Sequence, residues 1–234
     1  MKRYFLLFLL LIFKTLVIVA QSEVSLSEGR SDEELDCVGA VDLGLPSGTL
    51  WATCNLGATK PEEYGDYFAW GEVEPKDNYD WKTYKHCRGT SKTMTKYCSK
   101  SSYGYNGFTD TKTELDPEDD AAVVNLGGAW RMPTKAEWTE LIEKCKWTWI
   151  TQDGVKGYRV IGINSNSIFL PAVGYRRNAN SVDVGSFCYY WSSSLYIKTP
   201  YNASSEFWGE STMSSSQHYR FYGFAIRPVC VKKC

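Results

Sequence analysis

The clearest periodic pattern in the chain lies in the segment 127–145. Thr134 stands where a helix N-cap is expected and Glu137 follows three residues later, a spacing typical of a capping box. The apolar residues that follow recur at helical spacing: Trp138, Leu141, Ile142 and Cys145. The pattern predicts a helix that starts after Thr134 and buries this stripe, so Trp138 is expected in the core and not as a ligand platform.

An acidic segment, 115–128, precedes this helix and predicts a shorter one. Asp116 is the expected N-cap, Pro117 the first helical residue and Gly127 the terminator. Carboxylates in the first turn suit the helix dipole. A calcium loop is the alternative for the four acidic residues Asp116, Glu118, Asp119 and Asp120. Because the helix start explains every residue, we predict no metal site and no cofactor.

Extended segments dominate the rest of the chain. The segments 156–163 and 166–176 predict a hairpin that turns at residues 164–166. Further short strands are expected at 50–56, 189–194, 205–210, 218–223 and 224–231, with an extended piece at 64–72 and a long irregular excursion at 82–114. One or two helices followed by a β-rich half predict the α+β class rather than alternating βαβ units.

The N-terminal residues predict export. Residues 1–20 combine a basic start, a short apolar core and a small residue, Ala20, at the expected cleavage point, as in a secretory signal. A retained membrane anchor is the alternative, but Lys14 interrupts the apolar run before it reaches the ~20 residues that a span needs. Residues 21–36 are polar and acidic, which predicts a flexible linker over 21–40 before a domain at 41–234. We therefore expect a secreted or surface-displayed protein with no membrane span after cleavage.

Charge and cysteine content narrow the function further. Without residues 1–20 the chain has 23 basic and 27 acidic side chains and no basic stripe, which excludes a nucleic-acid partner. Eight cysteines in an exported chain favour disulfides, but composition alone leaves 105 pairings open. Cys87 and Cys98 could close a local loop within the irregular excursion. No CxxC pair occurs and only two histidines are present, so a structural zinc or thioredoxin-like site is poorly supported.

Several motifs in fixed order give a family resemblance over residues 41–231. They are VDLGLPSGTLWATCNLGATKPEEYGDYFAWGE, DPEDDAA, GGAWRMPTKAEW, SIFLPAVGYR, YYWSSS and GFAIRPVC. Together they resemble the Fibrobacter succinogenes major paralogous domain of exported Bacteroidetes-type proteins. The tryptophan-arginine-Pro-Thr helix start, W-S-S-S and terminal G-F-x-x-R also resemble the wider C-type-lectin-like and formylglycine-generating-enzyme-like fold.

This resemblance implies a single α+β domain of C-type-lectin-like form. One or two short helices would pack on short, mostly antiparallel strands, with long irregular loops. First and last strands would pair, which would bring Cys54 near Cys230 and implies a disulfide between them. No activity follows from the resemblance. The lectin calcium motifs are absent, with Trp191-Ser192-Ser193 in place of Trp-Asn-Asp, and the reactive cysteines of formylglycine-generating enzymes find no convincing match.

The segment 174–223 is rich in Tyr, Ser, Asn and Trp and is the candidate binding region. Tyrosine gives a large rigid contact area at low entropic cost, and Ser and Asn add adaptable hydrogen bonds. Aromatic faces edged with polar groups also suit pyranose rings. Trp191 and Phe224 are expected in the core. The aromatic residues of the predicted turns are the candidate ligand-binding residues: Tyr175, Tyr196, Tyr201, Trp208 and Tyr219.

No catalytic constellation stands out. A dyad of His86 and Cys87 would need a free thiolate, which an even cysteine count in an exported chain disfavours. Glu206 and Glu210 are candidate glycosidase carboxylates only because they are acidic, and such acids usually lie on the solvated surface. We predict a non-catalytic module that binds a glycan or a surface protein. A structural subunit of an extracellular assembly is the alternative, and a hydrolase or thiol-based enzyme comes third.

Overall fold

The computed structural model describes residues 37–231. Within this part of the chain there are two α-helices, α1 (Ala121–Leu126) and α2 (Lys135–Lys144), and three short 3-10 turns, the last at Pro117–Asp119. The strands are β1 (Ala40–Asp42), β2 (Thr49–Ala52), β3 (Lys146–Gln152), β4 (Val155–Ile161), β5 (Ser167–Pro171), β6 (Tyr175–Arg177), β7 (Asn180–Val182), β8 (Phe187–Leu195), β9 (Asn202–Gly209), β10 (Thr212–Tyr219) and β11 (Val229–Val231). The predicted α+β class is confirmed.

These strands form small antiparallel sheets with the orders β1-β2-β11, β3-β4-β5, β8-β9-β10 and β6-β7. The last strand returns to the first sheet, where Val229 pairs with Trp51, so the expected pairing of the first and last predicted strands is present. The hairpin expected at 156–176 is also present as β4 and β5. The finer assignment to a C-type-lectin-like domain stays a prediction.

Helix α2 packs on the inner face of the β8-β9 sheet, as its apolar stripe predicts. Trp138 is fully buried, with its ring centre 4.6 Å from that of Trp51 and 5.3 Å from that of Trp208. A second cluster forms on the opposite face of the sheet, where Trp191 and Phe224 stack at 4.2 Å. Both of these residues were expected in the core, and both are buried.

The predicted capping box at the start of α2 is present. The Thr134 hydroxyl oxygen accepts from the Glu137 N–H at 3.2 Å, and the Glu137 carboxylate accepts from the Thr134 N–H at 2.8 Å. Arg131 donates to the same carboxylate at 2.6 Å. The capping box therefore joins the start of α2 to the strand-like segment that enters it.

Replacing Thr134 with alanine is expected to lower the free energy of unfolding by about 1 kcal/mol, because one backbone N–H of the first turn loses its acceptor. Urea unfolding measures the change. Thr139 is the matched control, since its hydroxyl donates within the helix to the Lys135 carbonyl and an alanine there removes no cap. Equal losses in T134A and T139A would contradict the capping role.

The acidic segment before α2 departs from the prediction in one respect. Asp116 caps only the 3-10 turn, and its side chain makes no capping bond. Asp120 is the N-cap of α1 instead, and its carboxylate accepts from the N–H groups of Ala122 and Val123. The helix starts late because Asp119 turns inward to bind lysine and tyrosine side chains. Gly127 ends the helix with φ 66°, as expected.

Two predicted strands have different bounds in the structure. The segment 218–223 is not a strand, because β10 ends at Tyr219 and the chain turns there, with the Tyr222 N–H donating to the Tyr219 carbonyl at 3.0 Å. Arg220 is drawn into the core at this turn, where its guanidinium binds the carbonyls of Tyr97 and Pro200. Within 224–231 only Val229–Val231 is a strand. The segment 82–114 is irregular, as predicted.

The cysteine pairing differs from the expectation. Cys230 is disulfide-bonded to Cys37, with Cα atoms 6.2 Å apart, and Cys54 is free. The register explains this, because Cys230 lies opposite Leu50 and Cys54 is four residues further along, roughly 13 Å at the rise of a strand. That separation exceeds the Cα distance of about 7 Å that a disulfide spans.

The expected Cys87–Cys98 pair is also not formed. Both residues are buried free thiols that point to different carbonyls, Cys87 to that of Trp81 and Cys98 to that of Lys100, each at 3.2 Å. The bridge at Cys37 also anchors the last four residues of the linker expected at 21–40. The rest of that linker and the export signal expected at 1–20 lie outside the described residues. Among the described helices none is long and apolar enough to cross a membrane.

Candidate functional site

The β8-β9-β10 sheet has two faces of different character. One face packs on α2 along β8 and β9. The other carries a layer of aromatic rings that are buried or half-buried, among them Tyr189, Phe207 and His218. Tyr175 of β6 and Tyr222 of the turn after β10 extend this layer, with their ring centres 5.3 Å apart. The face therefore combines aromatic area with partial access to solvent.

A groove of about 280 Å³ lies at one end of this layer. We call it the tyrosine groove; its lining residues are Tyr201, Asn202, Gln217, His218, Tyr219 and Tyr222. Three structural elements bring them together. Asn202 starts β9 and pairs with Tyr219 at the end of β10, while Tyr201 precedes the first strand and Tyr222 follows on the turn after the second.

The three tyrosine rings of the groove are held by their neighbours. The Tyr219 ring lies 5.9 Å from that of Tyr201 and 5.6 Å from that of Tyr222. Tyr103 backs Tyr201 at 5.1 Å, and Phe221 stacks on Tyr219 at 5.6 Å. Tyr219 is still 42% exposed, so its ring is both supported and accessible. Such rings keep most of their binding area without further ordering on contact with a ligand.

Polar groups of the groove leave hydrogen-bonding capacity unused. The Asn202 amide donates to Thr199, but its Oδ1 is buried and accepts no hydrogen bond among the described residues. His218 Nδ1 lies 2.8 Å from the Ser205 hydroxyl. Burial lowers the pKa of His218 to about 4, so the imidazole is neutral at pH 7 and has one donor and one acceptor nitrogen. The groove thus presents uncharged polar groups beside its rings.

The structure places the five predicted ligand residues in three different environments. Tyr201 and Tyr219 line the groove, and Tyr175 contacts it through Tyr222. Tyr196 lies in a separate, larger cleft of about 870 Å³ beside the first turn of α2. For Trp208 the prediction is wrong, because this residue belongs to β9 and not to a turn. Its place in the strand directs the ring into the core, where it is fully buried.

Sequence reasoning missed four of the groove residues: Asn202, Gln217, His218 and Tyr222. His218 and Tyr222 were both expected in a strand at 218–223, but His218 lies near the end of β10 and Tyr222 lies in the following turn. A recognisable signal was the polar turn at 210–211, which makes a hairpin of the two segments around it. Counting outward from that turn places residue 202 opposite residue 219.

Burial disfavours the thiolate form of four free cysteines among the described residues. Burial raises the pKa of the thiols of Cys87, Cys98 and Cys188, and it raises that of Cys145 to about 11. His86 is not a base for Cys87, because its Nε2 lies 2.8 Å from the Gly71 carbonyl and burial lowers its pKa to about 4. A thiolate nucleophile is therefore disfavoured at these positions.

Other catalytic pairs are equally unsuited. Ser205 bonds His218, but the serine is 1% exposed and cannot reach a substrate. Glu206 was expected on the solvated surface, which is wrong: it is 1% exposed, and burial raises its pKa to about 8. Its placement follows from β9, where it shares the core-facing side with Trp208. Glu210 is exposed, as expected.

The acidic segment before α1 brings three carboxylates together, those of Asp116, Glu118 and Asp119. The Lys96 ammonium lies 2.6, 3.0 and 2.6 Å from them, respectively. Lys85 binds Asp119 from another side at 2.8 Å. The lysine ammonium therefore occupies the point at which a calcium ion would be coordinated, and the cluster is explained by ion pairing.

Comparison with protein-family models, with curated proteins and with solved structures gives no significant match. The family resemblance of residues 41–231 accordingly stays a prediction.

Proposed function

We propose that this chain is a secreted or surface-displayed, non-catalytic module that binds a glycan in the tyrosine groove. The observation that carries the proposal is the set of three mutually supported tyrosine rings around a concave surface that also exposes Gln217. The expected export signal at 1–20 supports placement outside the cell.

The chemistry of a pyranose ring matches this surface. One face of the sugar is made of C–H groups, which pack on an aromatic ring, and its hydroxyls point outward. The exposed Tyr219 ring supplies the stacking surface. Gln217 and His218 supply acceptors and donors for the hydroxyls. A groove of about 280 Å³ is at the small end of ligand sites, which suits one or two sugar rings.

The proposal predicts that Tyr201→Ala and Tyr219→Ala each weaken glycan binding tenfold or more. Truncating a central tyrosine of a binding site removes about 1.4 kcal/mol or more, which is a tenfold loss. A glycan array on the full chain finds the ligand, and titration calorimetry of the variants measures the loss. The matched control is Tyr105→Ala, a tyrosine that is 44% exposed and lies outside the groove.

Two outcomes contradict this assignment. Binding that survives both groove substitutions would place the glycan elsewhere, with the cleft beside Tyr196 next to be tested through Tyr196→Ala. Equal losses in all three tyrosine variants would mean that the substitutions act through folding and not through the groove.

An assembly subunit is the second candidate function. Val38 and Leu126 are exposed apolar residues that line a shallow hollow of about 290 Å³ together with Trp130. An exposed apolar hollow is typical of a surface at which another protein binds. Concentration-dependent association in sedimentation velocity would favour this function, and a strictly monomeric chain would count against it.

A further inference from the structure

The charge beside the tyrosine groove bears on the class of glycan. We infer that the groove takes an acidic saccharide, a hexuronic-acid unit, whose carboxylate binds Arg177. This inference rests on the proposed function and adds the identity of the ligand class to it.

Backbone pairing fixes the position of Arg177. Arg176 exchanges two hydrogen bonds with Gly223, at 2.8 and 2.9 Å, so the end of β6 lies directly beside the turn that carries Tyr222. The guanidinium carbon of Arg177 is 5.9 Å from the centre of the Tyr222 ring. At this distance a cation and an aromatic ring attract each other, which holds the guanidinium next to the groove.

The Arg177 charge is left uncompensated. It is exposed and forms no ion pair within residues 37–231, whereas Arg131 is paired with Glu137. Arg176 beside it donates to the Ser181 hydroxyl at 3.0 Å. The side chains that line the groove are uncharged at pH 7, since the pKa of His218 is lowered by burial. An anionic ligand is therefore favoured over a neutral one at this end of the groove.

One acidic group lies on the same face and is already engaged. Asp183 accepts a hydrogen bond from the Tyr189 hydroxyl at 2.8 Å. Its carboxylate is thus directed to the aromatic layer and is not paired with Arg177. A negatively charged ligand can therefore bind Arg177 without displacing a protein carboxylate.

A carboxylate on the sugar ring matches this arrangement best. The guanidinium offers parallel N–H donors in a planar fork, which binds a carboxylate through two hydrogen bonds. In a hexuronic acid the carboxylate projects from the edge of the ring. The C–H face of the same ring can then stack on a groove tyrosine while the charged edge reaches Arg177.

The test compares a hexuronic-acid oligosaccharide with its carboxyl-reduced counterpart, in which a neutral –CH₂OH group replaces each carboxylate. Titration calorimetry on the full chain at low ionic strength is expected to show at least tenfold tighter binding of the acidic form. The difference should shrink as salt is added, because the charges are near the surface. Arg177→Gln is expected to bring the affinity for the acidic form down to that for the reduced form.

The chain offers a matched control in Arg88. Its guanidinium carbon is also 5.9 Å from a tyrosine ring, that of Tyr105, and it is exposed but outside the groove. Arg88→Gln is expected to leave both affinities unchanged. Circular dichroism and unfolding midpoints of both variants check that the fold is intact.

Three results would overturn the inference. Equal binding of the acidic and reduced forms, or binding of neither, would contradict the inference that the ligand is acidic. Equal losses for both forms in R177Q would show that Arg177 only shapes the groove. None of these results decides the glycan proposal itself, because that is tested by Tyr201→Ala and Tyr219→Ala on the array ligand.

Discussion

Arg227→Ala is expected to lower the free energy of unfolding by about 3–5 kcal/mol, enough to unfold a marginally stable domain. Arg227 is fully buried between β2, the following loop and β5. Its guanidinium donates to the carbonyls of Ala52, Thr53 and Phe169 at 3.0, 2.7 and 2.8 Å, and to the Asn55 side-chain oxygen at 2.9 Å.

The size of this effect follows from the four acceptors that lose their donor. A buried acceptor without a partner costs about 1–3 kcal/mol, and entry of water into the cavity relieves part of that total. No carboxylate forms an ion pair with Arg227 in the described part of the chain, so the charge is stabilised by oxygen dipoles alone. Burial lowers the pKa of this guanidinium, which remains protonated at neutral pH.

Urea unfolding of the full chain measures the loss, and Arg227→Lys is the informative companion. Lysine keeps the charge but cannot reach four acceptors in a planar arrangement, so it should recover only part of the stability. Arg88→Ala, an exposed arginine, should change the midpoint little. If R227A were as stable as R88A, the network would be a minor contributor and this account would be wrong.

Glu206→Gln is expected to remove a pH dependence of stability that the natural chain shows between about pH 5 and pH 8. The Glu206 carboxyl accepts from the Ser215 hydroxyl at 2.8 Å, while its Oε1 is buried without a partner. Burial raises its pKa to about 8. The folded chain therefore holds a neutral carboxyl at neutral pH where the unfolded chain holds an ionised one.

The sign follows from the proton balance. With the folded pKa above the unfolded value, the folded state binds more protons between about pH 4.5 and pH 8, so stability falls as pH rises through this window. A shift of this size corresponds to a loss on the order of 3–5 kcal/mol. Glutamine has similar shape and no charge to lose, so E206Q should become the more stable chain above pH 8.

The measurement is the difference in unfolding free energy between E206Q and the natural chain from pH 5 to pH 9. Taking the difference cancels His86 and His218, whose pKa values are lowered to about 4 and whose stabilisation is instead lost as pH falls. Glu210→Gln, an exposed neighbour, should give a flat difference. A flat difference for E206Q as well would show that Glu206 is ionised in the folded chain.

The predictions that depend only on residues close together in the sequence were confirmed. The capping box of Thr134 and Glu137 and the stripe that includes Trp138 depend on residues within one or two helical turns. The β4-β5 hairpin depends on a short turn in the same way. Trp191 and Phe224 were also assigned correctly to the core.

The wrong predictions concern which face of a sheet a strand residue points to and which residue it pairs with. Both depend on the neighbouring strand. Trp208 and Glu206 point inward because β9 pairs with β8 in the observed register, and a slip of one residue would have reversed both. Cys230 pairs with Cys37 because its register opposite Leu50 leaves Cys54 out of reach. The tyrosine groove was found only in part for the same reason, because Tyr222 enters it from a turn whose position depends on the burial of Arg220.

The Cys37–Cys230 bridge has a consequence for proteolysis. It encloses almost the whole described chain in one covalent ring, since 193 residues separate the two cysteines. A single cut in the irregular segment 82–114 would open that ring but release no fragment, because the two pieces stay tied through sulfur. A nicked molecule would migrate as full-length protein until a reducing agent separates the halves.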